Sequence, residues 1–349
     1  MTKWPVVAAA AAVPAVPAVR LLRTFAASPL PKPNPLPTEI AVPSASPPED
    51  MDLIAVPTGV NKRVAAYGYR GGSFFDKRDF NIGAALIKHP KGDLLVDTGF
   101  GRDIDQQFAT MPRFFQKLTK YELWKPARDQ LEAAGYDFDR LGGILLTHAH
   151  WDHVSGLPDF PGVPVLVSKR DKVAFNKPGM RGYFGPPFNQ FHFNWHEFDF
   201  EAGPYLGFPR SHDVYGDGSI VCVPAPGHTP GSIIVFVTLP NNVRYALVGD
   251  LVWQREGLTN LEETPTALKA VGRPRSRRHT PKHPAHGFHR EANPEHDRRA
   301  RPRPTRVRRY GRAAERDHQR PDPMSDDPVD ETPSRGIMAA PNRASGKVK

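Results

Sequence analysis

Ile144-Leu145-Leu146-Thr147-His148-Ala149-His150-Trp151-Asp152-His153 is the stretch that sets the fold, because an apolar strand end runs directly into a cluster of metal-ligand side chains. On extended backbone the side chains of His148 and His150 point the same way, so both can reach one ion. Asp152 and His153 fall on the turn that follows, close enough to serve a second ion. Imidazole and carboxylate are the ligands that Zn²⁺ takes in hydrolytic sites. The spacing therefore predicts a metal-binding loop at the end of a buried strand, rather than a histidine-rich loop without metal.

Three other short motifs place an ionisable side chain at the end of a strand or in a tight turn. They are, in chain order, Leu94-Leu95-Val96-Asp97-Thr98-Gly99, Pro226-Gly227-His228-Thr229-Pro230-Gly231-Ser232 and Val248-Gly249-Asp250. Together with the histidine motif, and in this order, they resemble the metallo-β-lactamase superfamily of metal-dependent hydrolases. The resemblance runs from about residue 51 to about residue 258.

The resemblance implies an α/β fold, the αβ/βα four-layer sandwich, in which two sheets face each other and helices cover the outside. It also implies two metal ions, expected to be zinc, at one edge of the two sheets. The implied roles are these: His148, His150 and His228 bind the first ion, Asp152 and His153 bind the second, Asp250 lies between the two, and Asp97 supports the ligands without binding an ion.

The expected reaction is hydrolysis of a small carbonyl compound by a metal-activated hydroxide. Two ions about 3.5–4 Å apart can share one hydroxide and stabilise the developing oxyanion. Asp250 and Asp152 are the catalytic candidates, the first between the metals and the second as the carrier of a proton to the leaving group. The pattern is most similar to that of acyl-homoserine lactonases, which commonly carry a tyrosine where this chain has Trp253. Glyoxalase II-type thioesterases and β-lactam hydrolases therefore stay open as alternatives.

A catalytically impaired or binding-only relative is an alternative of another class. Members of the family close the second metal site with a histidine at a strand end after the bridging aspartate. His286 follows Pro284 and Ala285 as this pattern requires, but the basic residues before it cannot form a buried apolar strand. The second site, and with it the C-terminal part of the fold, is therefore expected to be incomplete.

The C-terminal tail carries the whole net charge of +10. Residues 271–349 hold 20 Lys and Arg against 10 Asp and Glu, whereas residues 1–270 hold 27 of each. Clustered arginines bind phosphates, but interspersed acids and few aromatic residues argue against a nucleic-acid arm. Without a regular apolar pattern the tail is predicted to be largely disordered. Codon degeneracy permits an apolar strand ending in His-Asp in another reading frame, so we interpret the tail as a frameshifted translation that begins between about Leu258 and Gly272.

The N-terminus predicts two further segments. Residues 1–28 combine Lys3, an Ala- and Val-rich run and small residues near position 27. This is typical of a secretory signal and equally of an apolar leader, so export, membrane association through this segment and a cytoplasmic location are all open. Residues 29–50 are predicted to be a proline-rich linker, and residues 51–270 the hydrolase domain.

Within the hydrolase domain, the sequence predicts a hairpin across Lys91-Gly92 between strands at 80–87 and 93–96. It also predicts a helix from Pro126 that stops at Gly135, and strands at 143–146, 163–168, 232–238 and 243–248. The aromatic residues between positions 175 and 215 wall an apolar pocket over the metals, pack on their own sheet or hold a partner chain, and the sequence leaves these three alternatives open. The single cysteine, Cys222, is expected to be a small core residue.

Overall fold

The computed structural model of the chain describes residues 21–31, 42–177, 182–184, 188 and 191–265. Its contacts divide the chain into two units, residues 1–280 and 281–349, and all described residues belong to the first. Residues 1–20, residues 32–41 of the predicted linker and the chain from residue 266 onward lie outside the described residues, as does His286. The interpretations of the leader's start and of the tail therefore stay predictions. Within the described part, no helix has the length and apolar character needed to cross a membrane.

Seven strands form the first sheet. In the order of the sheet they are β4 (Lys120–Leu123), β1 (Asp52–Val64), β2 (Lys77–Lys88), β3 (Asp93–Val96), β5 (Leu141–Leu145), β6 (Pro164–Ser168) and β7 (Asn194–Phe198). The pairs from β4 to β3 are antiparallel, and the pairs from β3 to β7 are parallel. The predicted hairpin is confirmed, because β2 and β3 pair in the register Ala85 to Val96 across a turn in which Gly92 has a φ of 124°.

Four antiparallel strands form the second sheet. In the order of the sheet they are β11 (Arg244–Leu247), β10 (Ile233–Thr238), β9 (Ile220–Pro224) and β8 (His212–Asp213). The helices of the described residues are short. They are Ala65–Gly68, Ile104–Ala109, Arg113–Leu118, Ala127–Ala133, Trp151–Val154, Lys169–Phe175 and Arg255–Thr259, with 3₁₀ turns at Phe138–Arg140, Leu157–Asp159 and Gly249–Leu251. The helix predicted from Pro126 is confirmed, with Pro126 directly before its first residue and Gly135 at a φ of 67° after its end.

Two apolar layers lie on opposite faces of the first sheet. Along β5 and the residue after it, Leu145 packs between the two sheets, whereas Ile144 and Leu146 pack against the helices. Successive side chains of a strand point to opposite faces, so a continuous apolar run supplies both layers. Cys222 is fully buried between the sheets, as predicted. This layering confirms the predicted sandwich class.

The aromatic segment between residues 175 and 215 packs mainly into the core. Phe184 and Phe188 are each 3% exposed and lie in the helix-side layer with Phe175. Phe198 joins the layer between the sheets, and Tyr205 packs on Phe236 at the outer face of the second sheet. The structure therefore supports the packing alternative for these rings over the pocket-lining one.

Residues 21–31, at the junction of the predicted leader and linker, lie against the hydrolase domain. The backbone N–H of Ser28 donates to both carboxylate oxygens of Glu262, at 2.8 and 3.0 Å. The N–H of Leu30 donates to the carbonyl oxygen of Leu261 at 2.8 Å. This part of the chain is therefore bound to the domain rather than held away from it.

Replacement of Phe100 tests the helix-side core. Phe100 is fully buried, and its ring centroid lies 5.4 Å from those of Tyr121 and Trp151. Phe100→Ala is expected to lower the free energy of unfolding by about 3–5 kcal/mol, because it removes a large ring from a packed layer. Phe75, which is 96% exposed, provides the control Phe75→Ala, with an expected change below about 0.5 kcal/mol. Urea unfolding followed by circular dichroism measures both, and equal losses would contradict the assignment of this core.

Candidate metal centre

The candidate ligands all follow strand ends or lie in loops at one edge of the two sheets. His148 and His150 follow β5, and the helical turn Trp151–Val154 then carries Asp152 and His153. The loop between β9 and β10 carries His228, and the 3₁₀ turn after β11 carries Asp250. Strand ends are favourable for such a site because the sheet fixes their backbone, while the loops leave the side chains free to converge.

A first group consists of His148, His150, His228 and Asp250, whose candidate ligand atoms all lie within 4.8 Å of one another. His228 Nε2 lies 2.7 Å from His150 Nδ1 and 3.2 Å from Asp250 Oδ2. His148 Nε2 lies 3.8 Å from the same Asp250 oxygen. Three imidazole nitrogens and one carboxylate oxygen thus face a common point, which is the donor set of a tetrahedral zinc site.

The Nε2 atom of His148 distinguishes this group from an ordinary buried cluster. Within the described residues it is buried and has no hydrogen-bond partner. A buried side-chain nitrogen without a partner is uncommon and costly unless a ligand satisfies it. The residues present therefore fit a metal ion at this position.

A second group consists of Asp152, His153 and Asp250, again with ligand atoms within 4.8 Å of one another. His153 Nε2 lies 3.2 Å from Asp250 Oδ1 and 4.0 Å from Asp152 Oδ1. Asp250 therefore offers Oδ1 to the second group and Oδ2 to the first. The structure brings together all six residues that the sequence nominated as ligands.

Asp97 orients the second group from the end of β3. Its Oδ2 accepts a hydrogen bond from Thr147 Oγ1 at 2.7 Å and also lies 2.7 Å from His153 Nδ1. Its Oδ1 accepts a hydrogen bond from the backbone N–H of Thr147 at 2.8 Å. With Nδ1 held in this way, the opposite ring nitrogen of His153 faces Asp250. Asp97 has a φ of 56°, a left-handed conformation that a non-glycine residue adopts at some cost in energy. The supporting role implied by the resemblance agrees with this geometry.

The buried imidazoles differ in their ionisation. Burial, with the neighbouring imidazoles, lowers the pKa of His148 and His150 well below the usual value, so both rings are neutral and can donate a lone pair. Burial has the same effect on His153, but the carboxylates of Asp97 and Asp250 outweigh it and raise its pKa well above the usual value. His148 and His150 are therefore ready to bind a cation, whereas His153 would release a proton on binding one.

The carboxylates of Asp152 and Asp250 differ in the direction of their pKa shifts. Burial raises the pKa of Asp152 to about 6, and the charge of His153 opposes this shift without cancelling it. Burial has the same effect on Asp250, but the imidazoles of His228 and His153 outweigh it and hold its pKa well below the usual value. Asp250 is accordingly a permanent anion between the two groups.

A further buried carboxylate, Asp171, fixes the histidine loop, and no motif in the sequence indicated this role. Asp171 Oδ2 accepts a hydrogen bond from the N–H of Ala149, between His148 and His150, and its Oδ1 accepts one from Tyr183 Oη at 3.0 Å. The ring of Tyr183 then packs on His150 at a centroid distance of 4.8 Å. The spacing of Ser168 and Asp171 predicts a helix start, which the structure has, but no local pattern could show that the carboxylate reaches another loop.

Two further side chains near the groups have atoms without partners among the described residues. Asn61 on β1 places its Nδ2 3.3 Å from Asp152 Oδ2, and its Oδ1 is buried and unpartnered. Trp253 has a buried, unpartnered Nε1, and its ring lies 5.9 Å from that of His228. The remaining histidines of the aromatic segment are not in either group: His196 lies 3.2 Å from Asn194 Oδ1, and His212 stacks on Phe198.

Comparison with known proteins gives relatives that are named as lactonases, metallo-hydrolases and a gamma-lactamase. The N-acyl homoserine lactonase AttM of Azorhizobium caulinodans is 27% identical over 201 residues, which cover 53% of this chain and 73% of the relative. A probable metallo-hydrolase of Mycobacterium tuberculosis is 30% identical over 206 residues, covering 53% of this chain and 61% of the relative. Among solved structures, an N-acyl homoserine lactone hydrolase with its product N-hexanoyl-L-homoserine at the catalytic metal centre matches with a TM-score of 0.49 and 19% identity, over 63% of this chain and 85% of that one.

The family model of the metallo-beta-lactamase superfamily matches residues 79–307. The match covers more than half of the chain and contains every member of the two ligand groups. It also extends past residue 270, the predicted end of the hydrolase domain. The chain therefore belongs to the metallo-beta-lactamase superfamily and is a metallo-hydrolase of that fold.

Proposed function

We propose that this chain is a two-metal hydrolase that opens the rings of lactones, with zinc as its metal and residues 51–270 as its catalytic domain. The observation that carries the proposal is the placement of Asp250, whose Oδ1 lies 3.2 Å from His153 Nε2 and whose Oδ2 lies 3.2 Å from His228 Nε2. A carboxylate with one oxygen on each side can join two ions, as in two-metal hydrolases. The lactonase names of several relatives support the substrate class.

The donor atoms agree with zinc in type, and the described residues offer four of them to the first ion and three to the second, Asp250 being shared. His148 Nε2, His150 Nδ1 and His228 Nε2 would hold the first ion, Asp152 and His153 the second, and Asp250 would bind both. Neutral imidazole and carboxylate are ligands that zinc prefers in hydrolytic sites. Zinc bound there would lower the pKa of water toward neutrality and polarise the carbonyl group of the substrate.

Side chains around the ions would orient the substrate and move the proton. The indole N–H of Trp253 is buried beside His228 and has no partner among the described residues, so it can donate to an oxygen of the lactone. An indole does not exchange its proton readily, and Asp152 is the carboxylate that would carry the proton to the leaving oxygen. Trp253 would thus bind the ester group in the position where the family resemblance predicts a tyrosine.

A substrate panel tests the reaction. The zinc-loaded protein is expected to hydrolyse acyl-homoserine lactones with a kcat/KM at least about tenfold above that for glutathione thioesters or β-lactams, because the ring oxygen of a lactone can take the indole N–H. Acid release at constant pH measures the rates, and chelator-treated protein is the control. Activity confined to thioesters or β-lactams would overturn the lactone assignment, and a zinc-loaded protein inactive on all three would be a binding-only relative.

Asp97→Asn tests the support of the second ion. The substitution removes the charge that faces His153 Nδ1, so the affinity of the second site for zinc is expected to fall about 10- to 100-fold in a titration against a chromophoric chelator. The matched control is Asp93→Asn, at the other end of β3, where the buried carboxylate binds Tyr136 and Arg140 instead. An equal loss of affinity in both variants would show general destabilisation rather than orientation of His153.

Trp253→Phe tests the donor beside His228. Loss of one hydrogen bond to the substrate is expected to lower kcat/KM about tenfold on the best lactone, with zinc content unchanged. Trp124→Phe is the control, since Trp124 is half exposed and its Nε1 lies 3.3 Å from Glu122 Oε1. Unchanged kinetics of Trp253→Phe would rule out the donor role.

A further inference from the structure

Among the described residues, a side chain from outside the four sequence motifs also contacts the second ligand group, and it lies in the first sheet. We propose that Asn61 is a positioning residue for the second metal ion: it holds Asp152 through Oδ2, so that Oδ1 of the same carboxylate faces the ion. The inference deepens the proposed two-metal function and rests on it. The other residues of the site belong to the histidine motif, follow β3 or lie in loops of the second sheet. Asn61 adds a hydrogen bond from β1.

The two oxygens of Asp152 face different partners. Oδ1 faces the other members of the second group and lies 4.0 Å from His153 Nε2. Oδ2 lies 3.3 Å from Asn61 Nδ2, which can donate a hydrogen bond to it. A carboxylate that is bound at one oxygen keeps the other in a fixed direction, as Asp97 does for the ring of His153.

The bonding of Asn61 is not that of an ordinary buried asparagine. The side chain is only 7% exposed, and within the described residues its Oδ1 has no hydrogen-bond partner. A structural asparagine in the core satisfies both ends of its amide, because an unpaired buried oxygen costs about 1–3 kcal/mol. Within the described part of the chain, the side chain of Asn61 donates its hydrogen bond to Asp152, so this bond fixes the carboxylate and leaves the amide oxygen of Asn61 unsatisfied.

The backbone of Asn61 is well fixed for this task. β1 lies between β2 and β4, and Asn61 is in register with Phe80 on one side and Tyr121 on the other. Burial lowers the pKa of Arg63, the next side chain on the same face of β1, and the charges of Tyr67 and Asp152 oppose this shift. Arg63 donates a hydrogen bond to Thr119 Oγ1 at 3.0 Å. This face of β1 is therefore directed toward the second group, while Lys62 on the opposite face pairs with Glu122 in solvent.

Zinc titration of the full chain tests the inference, with two variants of nearly unchanged size. Asn61→Leu removes the donor and is expected to weaken the second zinc about 10- to 100-fold, with the first zinc unchanged. Asn61→Asp places a second carboxylate beside Asp152 and is expected to weaken binding of the second zinc at least as much. The visible spectrum of the cobalt-loaded protein should lose the contribution of the second ion in both variants.

The matched control is Gln107→Leu. Gln107 is also a buried amide, but its side-chain hydrogen bonds within the described residues go to the hydroxyl and carbonyl of Ser155, which belongs to neither ligand group. This variant is expected to lower the unfolding temperature and to leave both zinc affinities unchanged. It separates the loss of a buried amide from the loss of the contact with Asp152.

The outcomes distinguish the inference from the function on which it rests. Two zinc ions bound with unchanged affinity by Asn61→Leu would overturn the positioning role alone. Tighter second-site binding by Asn61→Asp would overturn it as well, because it would make residue 61 a direct ligand. A wild-type chain that binds fewer than two zinc ions would overturn both the two-metal function and the inference.

Discussion

The carboxylate of Asp250 is the group on which the site depends. It lies between His228 and His153, 3.2 Å from a ring nitrogen of each, and the two contacts use different oxygens. Buried charge is costly unless it is paired, and here the imidazoles provide the pairing that keeps Asp250 ionised. Because the residues on either side come from different sheets, this one side chain ties the edge of the first sheet to that of the second.

The other carboxylates act by fixing backbone and ring directions. Asp97 binds both Thr147 and His153, and Asp171 binds the N–H of Ala149 inside the histidine motif. Each contact joins the loop to a different element, β3 in one case and the helix Lys169–Phe175 in the other. A loop of closely spaced ligands can keep one geometry only when its polar backbone groups are bound in this way. The contact of Asn61 with Asp152 extends the same principle to β1.

Much of the fold could be predicted from local pattern. The strand at β5 and the hairpin at Gly92 follow from apolar runs and turn chemistry, which act over a few residues. The helix after Pro126 follows from the fixed φ of proline and the glycine beyond its end. The aromatic segment was less predictable, since a ring in a loop can line a pocket or fill a core. Phe184 and Phe188 fill the core because they pack with Phe175 on the helix side of the first sheet.

The sequence by itself determined the class of fold, the family and the residues nominated as ligands, because these depend on short motifs whose spacing is legible along the chain. Only the tertiary structure decided how the ligands divide. It gave one oxygen of Asp250 to each group, brought Asp171 to Ala149 and placed Asn61 against Asp152. Asn61 and Asp152 are 91 positions apart in sequence, and nothing local relates an amide on β1 to a carboxylate on a distant turn. Contacts of that kind arise only when the sheet order sets the strand ends side by side.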